Sequence, residues 1–337
     1  MGGNILSSMI FRVSSSPHIR SNESTQRIML DVIIALIPAL LAAIYFFGVK
    51  VLTVVLISVV FAVATEYAMQ KILNRPITIN DLSAVVTGLL LAYNVPPTAP
   101  WWMVAIGSIF AIAIVKHCFG GLGHNFMNPA LAARAVLLAS WPVRMSSAAF
   151  VSPGVNAVTA ATPLSLFKAG AGCGNRIVIT SATVATSDTL TSLWDLFIGN
   201  IGGCIGETSA LALLIGGLYL IYRGVISYRI PLTYIGTVGI LSYILGGFHV
   251  YCFTFHMLAG GLFLGAIFMA TDYSSSPLTA KGQIIMGLGA GLLTVLIRFF
   301  GAYPEGVSYS ILLMNVATPL IDRFTIPRKF GEVKKSA

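Results

Sequence analysis

Charge is scarce in this sequence. Only 9% of its 337 residues are Asp, Glu, Lys or Arg, where a soluble globular protein carries roughly 25%. A soluble fold of this length could bury a core but could not cover its surface. A C-x-x-C pair is absent. The four cysteines, Cys118, Cys173, Cys204 and Cys252, stand far apart, which argues against an iron–sulfur or zinc site within this chain. They read as small apolar fillers. His18, His117, His124, His249 and His256 give no i, i+4 pair on a helix, so no haem or metal is expected. No G-x-G-x-x-G opens a helix after a strand, so a dinucleotide site is not expected in this chain. No basic run is interleaved with aromatics, so nucleic acid is not an expected partner. The first 27 residues are polar and Ser-rich and lack the apolar run of a cleaved signal peptide.

Apolar sequence is abundant. Hydrophobic residues make up 56% of the chain and the mean hydropathy is +0.88. A spanning helix needs roughly 20 mainly apolar residues. Apolar segments fall at 31–48, 52–69, 82–95, 101–117, 128–141, 204–222, 231–247, 254–270, 283–300 and 306–322. This predicts an all-α polytopic membrane protein of about ten transmembrane helices. Segments 82–95 and 128–141 are short and end in Pro-bearing stretches, as broken or half helices do where they pack in protein or line a cavity.

The charges set an orientation. With the N-terminus in the cytoplasm, fourteen of the 20 Lys and Arg fall inside and five outside (Lys50, Arg144, Lys168, Arg176 and Arg298). Arg134 is left within a membrane segment. The bias predicts ten spans with both termini cytoplasmic. The chain then divides into an N-terminal segment (1–27), a first five-helix repeat (28–141), an outer loop (142–200), a second five-helix repeat (201–323) and a tail (324–337). The two halves are weakly alike: Asn125-Phe126-Met127-Asn128-Pro129 is echoed by Asn315-Val316-Ala317-Thr318-Pro319. An odd number of segments in each half inverts their topology and places a site at their interface. Gly261-x-x-x-Gly265 and Gly287-x-Gly289-x-Gly291 read as helix packing.

Ionisable groups at membrane depth are costly and worth naming. Asp31, Glu66, Lys71 and Arg75 read as interfacial anchors. Glu207 opens a span and reads either as a helix cap or as part of an ion path. Asp272, before Ser274-Ser275-Ser276-Pro277, reads either as a cap or as a ligand for a hard cation. Arg134 calls for an anionic partner. Asn156 to Lys168 is, on its residues alone, a Thr-rich turn entering a short amphipathic stretch. A small-solute channel or secondary transporter fits the same pattern of spans, and so does a structural scaffold.

At Asn156–Leu164 the chain resembles the family of Rnf-complex D subunits and B subunits of the sodium-pumping NADH:quinone reductase. That family carries D-x-x-S-G-A-T-x-L. Here Asn156 replaces the Asp and Thr159-Ala160 replaces Ser-Gly. Ser14-Ser15-Ser16-Pro17-His18, Gly120 to Ala130, Ile205 to Ser209 and Met269 to Asp272 also match, in order and over nearly the whole chain. The resemblance implies a flavin-carrying electron-transfer subunit of an ion-translocating oxidoreductase in the bacterial inner membrane. Its FMN would be esterified to Thr162 on the outer side, with Thr159, Asn125, Asn128 and Arg134 as further cofactor contacts. It also implies movement of Na⁺ or H⁺, for which Asp272 and Glu207 are the candidate path, the other Rnf subunits as partners, and a urea-transporter-like fold; the quinone-reductase relative carries a second, noncovalent flavin (riboflavin), which the resemblance leaves open here.

Overall fold

A computed structural model describes residues 24–145, 150, 162–168, 192–301 and 303–326. Among them there is helix and no strand. The helices are α1 (Thr25–Phe47), α2 (Lys50–Ile72), α3 (Ser83–Tyr93), α4 (Trp101–Ile109, running on as a π-helix over Phe110–His117) and α5 (Pro129–Ser140). Three short ones follow: α6 (Pro142–Met145), α7 (Pro163–Leu166) and α8 (Leu193–Ile198). The chain then forms α9 (Ala210–Tyr222), α10 (Arg229–Leu245), α11 (Val250–Leu258) and α12 (Leu262–Leu264, running on as a π-helix over Gly265–Met269). It ends in α13 (Ala280–Phe300) and α14 (Val307–Thr325).

A helix lies at each apolar segment read from the sequence. Three of them, α1, α2 and α13, are long and apolar enough to cross a membrane unaided. The pair α11 and α12 passes the same test together, bent by 62° at its break. The segments expected to be short are short: α3 has 11 residues and α5 has 12. Asn128 caps α5, its Oδ1 accepting from the N–H of Ala130 (3.0 Å) and of Leu131 (3.3 Å), and Pro129 takes the first helical position.

Packing follows the small residues. α1 buries Asp31, Ala35, Ala39 and Ala43, one per turn, and exposes Leu30, Ile34, Ile37 and Leu41 on the opposite side. An exposed aliphatic stripe beside a buried small-residue stripe is what a lipid-facing helix presents. α9 meets that buried stripe so closely that a Cβ on Gly216 would collide with the Ala35 carbonyl. In the first half α2 packs on α3 and α4, and in the second half α10 packs on α11 and α13; α5 packs on α14. Gly287 and Gly291 face α10, where an added Cβ would strike Thr233 and Thr237, so this glycine run serves packing as expected. Each half also ties its second helix to its fourth by hydroxyls: Ser58 to Ser108 at 3.1 Å, and Tyr234 to Thr294 at 2.7 Å.

Four readings change. Asp31 is no interfacial anchor; it is buried in α1 and accepts from Tyr219 (2.9 Å) and Arg223 (3.0 Å) on α9. Glu66 is buried in α2 and accepts two hydrogen bonds from Lys116 Nζ, at 2.7 and 2.8 Å. Arg298, expected among the outer charges, is 1% exposed. It donates to the carbonyls of His256 (2.6 Å), Ala259 (3.0 Å) and Glu305 (3.0 Å), and so holds the broken end of α11. Cys252 is disulfide-bonded rather than a plain filler, whereas Cys118 and Cys204 are free thiols.

Candidate cofactor and ion sites

The candidate residues gather around two cavities, and α5 connects them. Ala130 near its start lines one; Arg134, Ala135 and Leu138 further along line the other.

The first cavity, about 100 Å³, is walled by apolar groups such as Val86, Leu90, Ile267 and Phe268 and by the polar Ser83, Lys116, Asn125, Asn128 and Asp272. It joins the two matched motifs, which lie far apart in the chain. Asn125 Nδ2 donates to Asp272 Oδ2 (3.4 Å) and Asn128 Nδ2 donates to the Met269 carbonyl (3.3 Å). Ser274 and Ser275 hydroxyls also donate to Asp272 Oδ2, each at 3.1 Å. Burial pushes the Asp272 carboxyl above the usual carboxylate range, and the donors from Ser274, Ser275 and Asn125 oppose the shift. Lys116 carries no signal in the sequence beyond ending an apolar run. It reaches the wall because the π-helical end of α4 turns it onto Glu66 and Ser83 Oγ (2.7 Å).

The second cavity, about 300 Å³, is lined by Thr162, Ser165, Lys168, Arg134, Phe150, Tyr303, Glu305 and Tyr309 among others. Thr162 caps α7. Its Oγ1 accepts from Ser165 N–H (3.2 Å), and Ser165 Oγ donates back to its carbonyl (2.7 Å). Leu164 below it packs into a cluster with Leu196, Ile201, Phe255 and Ala259, which fixes the short helix against α8 and α11. Lys168 Nζ donates to the Tyr303 carbonyl (2.7 Å), and burial lowers its ammonium pKa. Tyr303 and Tyr309 rings lie 5.2 Å apart.

Arg134 finds the anionic partner it calls for: Glu305, which in the sequence looks like any loop residue. It also donates to Asn94 Oδ1 (3.1 Å) and Ser308 Oγ (2.9 Å). Glu207 stands nearby. It does not cap α9, which Ser209 caps by accepting from Ala212 N–H (3.3 Å). Glu207 Oε1 instead accepts from Cys204 N–H (3.1 Å), within a buried non-helical stretch whose backbone bonds to the end of α3: Ile205 N–H to Val95 O (3.2 Å) and Gly206 N–H to Tyr93 O (2.9 Å). Irregular backbone at this depth is tolerated because it is enclosed and satisfied. Asn156, Thr159 and Arg176 lie outside the described residues.

A helical membrane protein with broken helices and a buried polar cluster at each end of one short helix is thus defined. The chain belongs to the NQR2, RnfD, RnfE family, whose model matches residues 12–331. It is 58% identical to the D subunit of the Na⁺-translocating ferredoxin:NAD⁺ oxidoreductase complex of Acetobacterium woodii, over 96% of this chain and 97% of the relative. It is 52% identical to the D subunit of the proton-translocating ferredoxin:NAD⁺ oxidoreductase complex of Clostridium ljungdahlii, over 96% of each. It is 34% identical to the D subunit of the ion-translocating oxidoreductase complex of Citrobacter koseri, over 96% and 99%.

Proposed function

We propose that the chain is the D subunit of a membrane-bound ferredoxin:NAD⁺ oxidoreductase complex that moves Na⁺ or H⁺, and that it carries FMN esterified to Thr162. Family membership and the names of the relatives support the complex and its other subunits as partners, and set aside the channel reading. The flavin rests on one observation: the Thr162 hydroxyl stands in the wall of a cavity of about 300 Å³ that also holds aromatic and cationic side chains. When bound, the flavin supplies electron transfer. Thr162 tethers, with its Oγ1 steadied by Ser165 N–H. Tyr303, Tyr309 and Phe150 offer apolar walls, and Lys168 and Arg134 offer positive charge to a phosphate or a reduced ring.

Two finer assignments belong to the same proposal; the noncovalent riboflavin is not placed, because the cavity at Asn125 and Asn128, about 100 Å³, is smaller than a flavin needs. Asp272 and Glu207 belong to the ion path, supported by their depth and oxygen-rich surroundings. The layout is ten spans in two inverted repeats, supported by the matched packing of α2 and α10. Thr162 faces the outer side of the bacterial inner membrane and both termini face the cytoplasm. The charge bias supports this, and so does the disulfide-bonded Cys252, on the helix that packs against α7 and α8, since disulfides persist in oxidising compartments.

The test is in-gel fluorescence and intact mass of the denatured chain, produced with its flavin transferase. The wild type is expected to show an ultraviolet-excited band and an added FMN mass, and Thr162→Val neither. A band that survives Thr162→Val overturns the assignment.

A further inference from the structure

At the Thr162 end of α5, two buried guanidinia face two carboxylates. Arg134 pairs with Glu305 and donates to Asn94 and Ser308. Arg298 donates to the Glu305 carbonyl and feels the charge of both Glu305 and Glu207. These four charges cancel. Lys168 is added to that balance. It lines the cavity of about 300 Å³ that Thr162 faces. Among the described residues no carboxylate pairs with it: its ammonium donates to the carbonyls of Tyr303 (2.7 Å) and Ile297 (3.4 Å). An ammonium has three N–H donors, so one is left over. Arg144, by contrast, lies over the Trp102 ring at 5.5 Å and does not line the cavity.

The place of Lys168 separates a ring from a phosphate. Thr162 caps the start of α7, and Lys168 follows six residues later at the end of the same helical stretch. Six residues of helix rise about 9 Å. A phosphate esterified to Thr162 is fixed at the first of these points. The ammonium is held at the second, against Tyr303, whose ring lies 5.2 Å from that of Tyr309. Both rings line the cavity. In FMN the ribityl chain sets the ring apart from the phosphate by a comparable length. The ammonium would there meet the negative charge that a flavin ring carries once two electrons and one proton are added. A cation without a counter-ion, partly withdrawn from water, stabilises such a charge most. Arg134, matched by Glu305, offers it less.

We propose that Lys168, and not Arg134, is the charge partner of the reduced flavin ring and raises its reduction potential. This rests on the flavin proposed at Thr162 and names the residue that tunes it.

Spectroelectrochemical titration of the purified full chain, loaded by its flavin transferase, tests it; the electrode supplies the electrons and water the proton. Lys168→Met is expected to weaken the preference for the reduced ring about tenfold, which lowers a two-electron midpoint potential by about 30 mV. Lys168→Arg keeps the charge and is expected to stay near wild type, as is Arg144→Met, which removes a charge outside the cavity. A second measurement needs no variant. Acylation of Lys168 by a water-soluble amine reagent, followed by peptide mass, is expected to be slower in the reduced loaded chain than in the oxidised one. Equal protection in both states assigns the ammonium to the phosphate and overturns the proposal. So does a potential that Lys168→Met leaves in place, or that Lys168→Arg lowers as far. A wild-type chain that takes no flavin overturns the Thr162 reading and this one with it. A loaded chain whose potential ignores Lys168 overturns this one alone.

Discussion

The two cavities solve the same problem, polar groups at membrane depth, in opposite ways. Around Asn125 the groups close on each other. Asp272 is met by three side-chain donors, Asn128 is committed to a helix end and a carbonyl, and Glu66 is matched by one lysine. Around Thr162 the buried Arg134 and Arg298 stand beside Glu207 and Glu305, yet one oxygen of Glu207 has no hydrogen-bond partner among the described residues. The first set is closed by hydrogen bonds; the second leaves an acceptor open.

Removing a cation from each cavity breaks this comparison most sharply. Arg134→Ala strands Glu305, and Lys116→Ala strands Glu66; each is expected to cost about 3–5 kcal/mol in denaturant unfolding of the purified protein. The two should then part in their rescue. Glu66→Leu with Lys116→Met should recover most of the loss, because a closed ion pair tolerates replacement by apolar groups of similar size. Glu305→Leu with Arg134→Met should recover less, because Arg134 also donates to the buried Asn94 and Ser308, which the double substitution leaves unmatched. Equal rescue at both cavities would remove the distinction.

Asn128→Ala is a smaller probe. It deletes the cap of α5 and the bond to Met269, with an expected loss of about 1–2 kcal/mol in the same unfolding measurement. The smallest effect is one of pH. Because burial raises the folded-state pKa of Asp272, its ionisation weighs against folding above that pKa, and the penalty lifts as pH falls through it. Asp272→Asn should therefore be more stable than wild type at neutral pH, with the gap closing as the solution is acidified. Melting temperatures across that range check the sign.

The sequence made one cavity far more legible than the other. Asp272 stands before a run of Ser ending in Pro, so local chemistry exposed it; Asn125 and Asn128 were marked by the family's motif, and the short α3 and α5 were visible from their flanking prolines. The Thr162 cluster draws on Arg134, Glu207 and Glu305, each lone in its own stretch. Only folding makes them neighbours. Arg134 could be seen to want an anion, but nothing local pointed to Glu305, which sits between two spans. Asp31, Glu66 and Arg298 were misread for a related reason. A charge at the end of an apolar run looks interfacial, and whether a neighbouring helix covers it is decided by packing that one segment does not encode.

The partition between the cavities also has an electrical side. Ala130 lines one and Arg134 the other, a separation of four residues or about 6 Å along α5, against about 30 Å for the hydrocarbon core of a bilayer. In the orientation proposed above, with the two cavities reached from opposite sides, water entering both would leave the transmembrane voltage mainly across that thin wall. Moving one elementary charge through the full drop is worth about 2.3 kcal/mol per 100 mV, so in that arrangement a step past Leu131, Ala132 and Ala133 would carry most of the work.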